Sequence, residues 1–163
     1  MTISLRAATP HDLEAIARIW YHGWFDGHLG HVPDALLSYR RLADFRARVP
    51  GRIEATTVAT EDARVVGFLT VHADEIEQVY VAESARGGGA AGALLEHGER
   101  RIAARFDAAW LAVVAGNTRA CRFYTRNGWR DAGGIEYPAE AGRGHIPVAA
   151  RRYEKRLPRS PAI

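Results

Sequence analysis

The chain has 163 residues, a net charge of +3 and one cysteine, Cys121. That length suits a single domain over residues 1–163 with a substantial core, and no apolar run approaches the roughly 18–20 residues of a membrane span. A lone cysteine excludes an intrachain disulfide and a Cys-x-x-Cys metal site. The start, Met1-Thr-Ile-Ser-Leu-Arg-Ala, lacks the basic and then apolar regions of a secretory signal, so the expected location is the cytoplasm. The basic residues are arginines apart from Lys155, scattered among acids except for short pairs such as Arg40-Arg41, Arg100-Arg101 and Arg151-Arg152. That distribution reads as composition bias rather than a nucleic-acid surface, though a mild positive field helps attract an anionic ligand.

Thr2 to Ala8 alternates, with Ile3, Leu5 and Ala7 on one face, and predicts a first strand. Thr9-Pro10 starts a helix whose apolar side is Leu13, Ile16, Ala17, Trp20 and Trp24, and Gly27 and Gly30 end it. A second helix follows Val32-Pro-Asp34, with Leu36, Leu37, Tyr39, Leu42, Phe45 and Val49 as its apolar side, up to Pro50-Gly51. Strands are predicted over Ile53 to Ala59 and Val65 to Val71, with a hairpin turn at Glu61 to Arg64. The continuously apolar Ala108 to Val114 predicts a buried strand. Asn117 caps a short helix bearing Ala120, Phe123 and Tyr124. Trp129 opens another strand, Gly133 to Gly144 reads as a loop, Ile146 to Leu157 as the last strand, and Pro158 to Ile163 as a frayed tail.

The remaining stretch, Glu75 to Leu95, organises the chain. A strand carrying Ile76, Val79, Tyr80 and Val81 runs into Arg86-Gly-Gly-Gly89 and restarts at Ala90 as a helix. A strand feeding a glycine turn that opens a helix gathers bare backbone N–H groups at the positive end of the helix dipole, an anion site most natural for phosphate. Glycine lets a ligand approach that backbone without meeting a Cβ. No Gly-Lys-Ser/Thr follows, which excludes a P-loop. Gly87-x-Gly89-x-x-Gly92 satisfies the dinucleotide fingerprint literally, but it lies mid-chain after antiparallel strands and lacks the acidic residue at the expected distance.

The order of elements, with Val81-x4-Arg86-x2-Gly89-x-Ala91, resembles the GCN5-related N-acetyltransferase (GNAT) superfamily. Arg86-Gly-Gly-Gly-Ala-Ala91 fits that family's Gln/Arg-x-x-Gly-x-Gly/Ala turn, and Asn117-Thr-Arg-Ala-Cys-Arg-Phe-Tyr-Thr-Arg-Asn-Gly-Trp129 fits its Asn-x2-Ala-x2-Phe-Tyr-x3-Gly-Phe/Trp segment. The resemblance covers nearly the whole chain. It implies an α+β, three-layer fold, with a mixed, mostly antiparallel sheet of about seven strands flanked by about four helices. It also implies acetyl-coenzyme A as co-substrate, with no metal. The pyrophosphate would rest on the turn formed by Arg86, Gly87, Gly88, Gly89, Ala90, Ala91 and Gly92. The pantetheine arm would pair with the backbone of Val79, Tyr80 and Val81, and Asn117 would contact that arm, cap its helix, or do both.

The implied reaction moves an acetyl group to a primary amine of a small molecule by direct attack in a ternary complex. The alternatives are a protein N-terminus or lysine as acceptor, or a non-catalytic coenzyme A-binding domain. The amine must lose a proton, which a nearby carboxylate can take. Glu75 falls where some relatives place this base and is favoured; Glu77, two residues on, shares its side of the strand. Both read equally well as solvated residues or partners of arginines. Tyr124 matches the family tyrosine that protonates the departing thiolate, against a reading as a core aromatic beside Phe123. Cys121 has no paired histidine and reads as core. Relatives place the acceptor pocket at the first two helices, here Trp20 to Pro33. Trp24, Phe25, Asp26 and His28 are the acceptor candidates, with Asp26 suited to an ammonium and the stretch from Tyr137 to His145 as a second wall. His22, His28 and His31 match no common metal-ligand spacing. The expected partner is the small-molecule amine, with neither nucleic acid nor membrane, and a homodimer stays open.

Overall fold

A computed structural model describes residues 2–158. One sheet of seven strands orders the chain as β1-β2-β3-β4-β5-β7-β6. The strands are β1 (Ile3–Ala7), β2 (Thr56–Glu61), β3 (Arg64–His72), β4 (Glu75–Val81), β5 (Ala108–Val113), β6 (Arg130–Ala141) and β7 (Gly144–Arg156), and the helices are α1 (Leu13–His28), α2 (Leu42–Arg48), α3 (Ala90–Ala103) and α4 (Thr118–Arg126). Every pairing is antiparallel except β4 with β5. This is the three-layer α+β arrangement the resemblance implies. No helix among the described residues is long and apolar enough to cross a membrane.

Strand alternation divides the core into two layers, one on each face of the sheet. Leu69, Ile76, Leu94, Leu95, Ile102 and Leu111 pack together beneath α3, while Val58 and Phe68 turn to the opposite face against Ile16, Trp20 and Phe45 of α1 and α2. Adjacent Phe68 and Leu69 thus enter different layers, as the two-residue period of a strand requires.

Three expected elements differ. The second helix is broken into a 3-10 segment (Asp34–Tyr39), α2, and a second 3-10 segment (Pro50–Ala55). The apolar spacing runs through unbroken, but the Asp44 carboxylate accepts from the Arg41 backbone N–H at 2.8 Å and restarts the helix there. That second 3-10 segment also takes Ile53 out of the strand predicted to begin with it, so β2 starts at Thr56. Third, the glycine-rich stretch from Gly133 to Gly144 is not a loop: β6 and β7 form a long hairpin through it, turning at Gly142 (φ +59°). Pro138 is tolerated because β6 is an edge strand, and the irregular register between Asp131 and Gly134 absorbs Gly133. Of the tail expected to fray, all beyond Pro158 lies outside the described residues.

Candidate active site

β4 and β5 touch at one residue pair, Glu75 with Trp110. There the Trp110 backbone N–H and indole Nε1 both donate to Asp74, at 3.0 and 3.1 Å. Beyond that clasp the strands part, and a cleft of about 840 Å³ opens between Val79, Tyr80 and Val81 on one side and Leu111, Ala112 and Val113 on the other. The edge of β4 facing the cleft therefore carries peptide groups with no strand opposite, and such groups need partners.

A bulge in β4 aims its side chains. Thr70 pairs with Gln78 and Val71 with Ile76, which leaves Glu77 as the extra residue. Ile76 is buried beneath α3 while Glu75 and Glu77 both line the cleft. Bulges redirect side chains in this way beside working sites.

Downstream, the chain enters α3 through Gly87 (φ +83°) and the helix cap Gly89 (φ +91°), conformations that glycine alone adopts cheaply. The Ala93 N–H makes the first helical bond, to the Gly89 carbonyl at 3.0 Å. The amides before it have no partner within the helix. A Cβ added at Gly87, Gly89 or Gly92 would meet no atom within 4 Å, and all three residues line the cleft with Arg86, Ala90 and Ala91. Gly88 does not line it; its N–H is turned back to the Ala85 carbonyl at 3.3 Å. The turn thus forms an open cradle of backbone donors for an anionic group.

Tyr124 lies across the cleft from β4, 8% exposed, with its ring tilted or edge-on to Trp129 and Tyr153. Burial pushes its phenol up, so it stays protonated at neutral pH. Asn117 caps α4, its Oδ1 accepting from the Ala120 N–H at 3.3 Å, and also lines the cleft. The same amide packs on Gly27, where a Cβ would come within 2.6 Å of Asn117 Nδ2, so α1 approaches α4 closely only because that position is glycine. Tyr80 is half-buried, its ring stacked on Phe68.

The two glutamates differ in surroundings. Glu77 is held by Arg52 Nε at 2.6 Å. Glu75 accepts from the Tyr137 hydroxyl at 2.7 Å. Burial pushes the Glu75 carboxyl up, and the Tyr137 bond offsets this only in part. Of the acceptor candidates, Trp24 and His28 line the cleft, while Phe25 and Asp26 do not. Asp26 is 47% exposed and paired with Arg86 Nη2 at 2.8 Å, so it steadies the glycine turn instead of facing an acceptor. His28 stacks flat on Trp24, and its Nδ1 lies 2.8 Å from the Trp24 carbonyl, which fixes Nδ1 as the protonated nitrogen. Burial lowers its pKa to about 4, so it is neutral at pH 7. No three ligating side chains gather into a metal site among the described residues.

The structure adds residues that were not singled out from the sequence. Arg40, Arg48, Arg52 and Glu140 line the same end of the cleft as Glu75 and Glu77. Arg48 sits over the Trp20 ring at 4.4 Å and Arg40 over Trp24 at 5.3 Å. Only the four-residue spacing of Arg48 and Arg52 hints at a shared direction, and it crosses a helix break.

Residues 13–129 match the Acetyltransferase (GNAT) family. An uncharacterised N-acetyltransferase of Mycobacterium tuberculosis (strain H37Rv) is 34% identical over 110 residues, covering 63% of this chain and 68% of the relative. Among solved structures, a GCN5-related N-acetyltransferase from Rhodopseudomonas palustris superposes with a TM-score of 0.75 at 21% identity, covering 96% of this chain and 97% of that one. The PaiA N-acetyltransferase of Thermoplasma acidophilum, solved in complex with coenzyme A, gives 0.75 at 19% identity, covering 96% and 100%. With the family match spanning most of its length, from α1 to the start of β6, the chain belongs to the GNAT family of acetyltransferases.

Proposed function

We propose that the protein transfers an acetyl group from acetyl-coenzyme A to the primary amine of a small molecule, by direct attack in a ternary complex. One observation carries this reading. The open glycine cradle at α3, the unpaired edge of β4, a carboxylate with a raised pKa and a buried protonated tyrosine all line one cleft.

Acetyl-coenzyme A brings an acyl group activated as a thioester. The residues fit it: Gly87, Gly89 and Gly92 leave room for a pyrophosphate at the amides of α3, and Val79 to Val81 offer backbone groups to the pantetheine arm. Arg86, Ala90, Ala91 and Asn117 complete the wall. Gly88 shapes the turn without facing the ligand. Glu75 accepts the proton of the acceptor ammonium, because a carboxylate whose pKa is raised is the better base near neutrality. Glu77, neutralised by Arg52, orients its neighbours instead. Tyr124 gives its proton to the departing sulfur. Trp24 and His28 wall the acceptor space, with the hairpin residues Tyr137 and Pro138 opposite.

The test is calorimetric titration with acetyl-coenzyme A, followed by thiol release over a panel of amines. Saturable binding with amine-dependent thiol release is the expected result. Absence of acetyl-coenzyme A binding overturns the proposal, and binding without turnover of any small amine or peptide points to a non-catalytic domain.

A further inference from the structure

The acceptor end of the cleft holds three guanidiniums and three carboxylates that do not pair off evenly. Arg40 is 3% exposed, an unusual position for a guanidinium. Its Nη1 donates to two neutral oxygens, the carbonyls of Tyr39 at 2.9 Å and Glu140 at 2.7 Å. Its Nε is buried with no partner, and Arg40 has no ion pair among the described residues. Arg48 Nε is ion-paired with a Glu140 carboxylate oxygen at 2.9 Å, and its Nη1 is buried and unpartnered. Arg52 takes up Glu77 at 2.6 Å and the other Glu140 oxygen at 3.1 Å. Arg48 and Arg52 therefore take up Glu77 and Glu140, which leaves Arg40 without a carboxylate and Glu75 without a cation among the described residues. Burial and the charge of Arg48 lower Arg40 to about 10.

Buried cations and buried N–H groups without partners are rare in folded proteins, and each calls for a physical reason. Structural need is a weak one, since an apolar residue would fill the same space without the desolvation penalty. The rings of Trp20 and Trp24 instead hold Arg48 and Arg40 ready in place. At the same end of the cleft stands the opposite charge, the Glu75 carboxyl beside Tyr137. A simple amine would answer only Glu75 and leave Arg40 without an anion.

We infer that the acceptor is an amino carboxylate, its ammonium directed to Glu75 and its carboxylate held by the guanidiniums of Arg40 and Arg48. This rests on the transferase reading above and names its substrate class. A carboxylate suits the site because its two oxygens match the planar fork of an arginine. The zwitterion gives Glu75 a cation and Arg40 an anion at once, and the tryptophans bound the space for a side chain.

The test pairs each amino acid with its carboxamide and its decarboxylated amine, measuring thiol release by protein whose acetyl-coenzyme A binding has been verified by calorimetry. The carboxylate should exceed its carboxamide by roughly 30-fold or more in kcat/KM, the scale of an unmatched buried charge. Arg48→Gln should collapse that ratio towards one with the dissociation constant for acetyl-coenzyme A unmoved, and Arg48→Lys should leave an intermediate ratio. Carboxamides or plain amines turned over as well as the carboxylates would overturn the inference while leaving the transferase reading intact. A binding arm reads the same preference without turnover, by titrating N-acetyl amino acids and their amides into protein with and without coenzyme A. Tighter binding of the carboxylates supports the inference, and equal binding or none refutes it. Failure of acetyl-coenzyme A itself to bind strikes the transferase reading, not the anion site.

Discussion

Gly92→Ala separates the cradle from the fold, because it should move stability and ligand binding in opposite directions. Gly92 is the third residue of α3 with helical backbone, and a Cβ there meets nothing within 4 Å. Alanine in place of glycine in a helix then stabilises by up to about 0.8 kcal/mol. For a chain of this size that is about 2–3 °C in Tm. The same methyl stands in the space through which an anion reaches the first amides of the helix. Loss of one charge-assisted hydrogen bond costs about 1.5–3 kcal/mol, or about 10- to 100-fold in Kd for acetyl-coenzyme A. Gly98→Ala, in the same helix, is the control. Its Cβ would lie 3.0 and 3.1 Å from the two Leu69 methyls, and overpacking of this kind costs about 1–3 kcal/mol. That change should lower Tm and leave Kd alone. The assays are thermal melts and calorimetric titration on both variants. A Gly92→Ala protein with raised Tm and unchanged Kd would refute the cradle, and one with lowered Tm would refute the open geometry.

Tyr124→Phe removes only a hydroxyl from a ring whose contacts with Trp129 and Tyr153 remain; kcat should fall roughly 100-fold with the melting curve and Kd for acetyl-coenzyme A little changed, and an unchanged kcat removes the acid role. Glu75→Gln should abolish the acid limb of the kcat/KM profile, whereas Glu77→Gln should keep it. The sign for stability follows from the raised pKa of Glu75. Its protonated form is favoured by the fold, so its contribution is full below the ordinary pKa of 4.5 and is lost as pH rises through the folded value. Glu75→Gln should thus melt higher than the parent at pH 7–8, with the difference vanishing towards pH 4. Tyr137→Phe deletes the bond that favours the Glu75 carboxylate, so the acid limb should move to higher pH; a profile that stays put or moves down argues against Glu75 as the base.

The parts of the fold carried by local spacing were legible. The strand from Glu75 to Val81, the turn after it, α3 and the Asn117 cap all stand at the expected residues, because alternation, glycine and an N-cap asparagine act within a few positions. The helix expected through Leu36 to Val49 failed because apolar periodicity cannot register one carboxylate, Asp44, capturing the Arg41 amide. The hairpin of β6 and β7 was hidden by glycine, proline and acid, which a strand tolerates only where pairing with a neighbour and an edge position compensate. Likewise, nothing in the sequence near Glu75 or Glu77 says which of them meets an arginine, since Arg52 and Tyr137 come from opposite directions along the chain.

The same contrast divides the site itself. The end proposed for the cofactor is built of backbone, and backbone geometry is written in contiguous residues, so Arg86 to Gly92 could be read directly. The end proposed for the acceptor is built of side chains brought together from α2, the segments on either side of it and the β6–β7 hairpin; the Arg40 contact with the Glu140 carbonyl spans 100 residues of chain. A motif shared by a family can fix the first end, where the proposed function places the thioester common to the reaction. On that proposal the second end answers to the individual acceptor. There the informative observation is a charge the fold has buried without a match, a property that no short stretch of sequence contains.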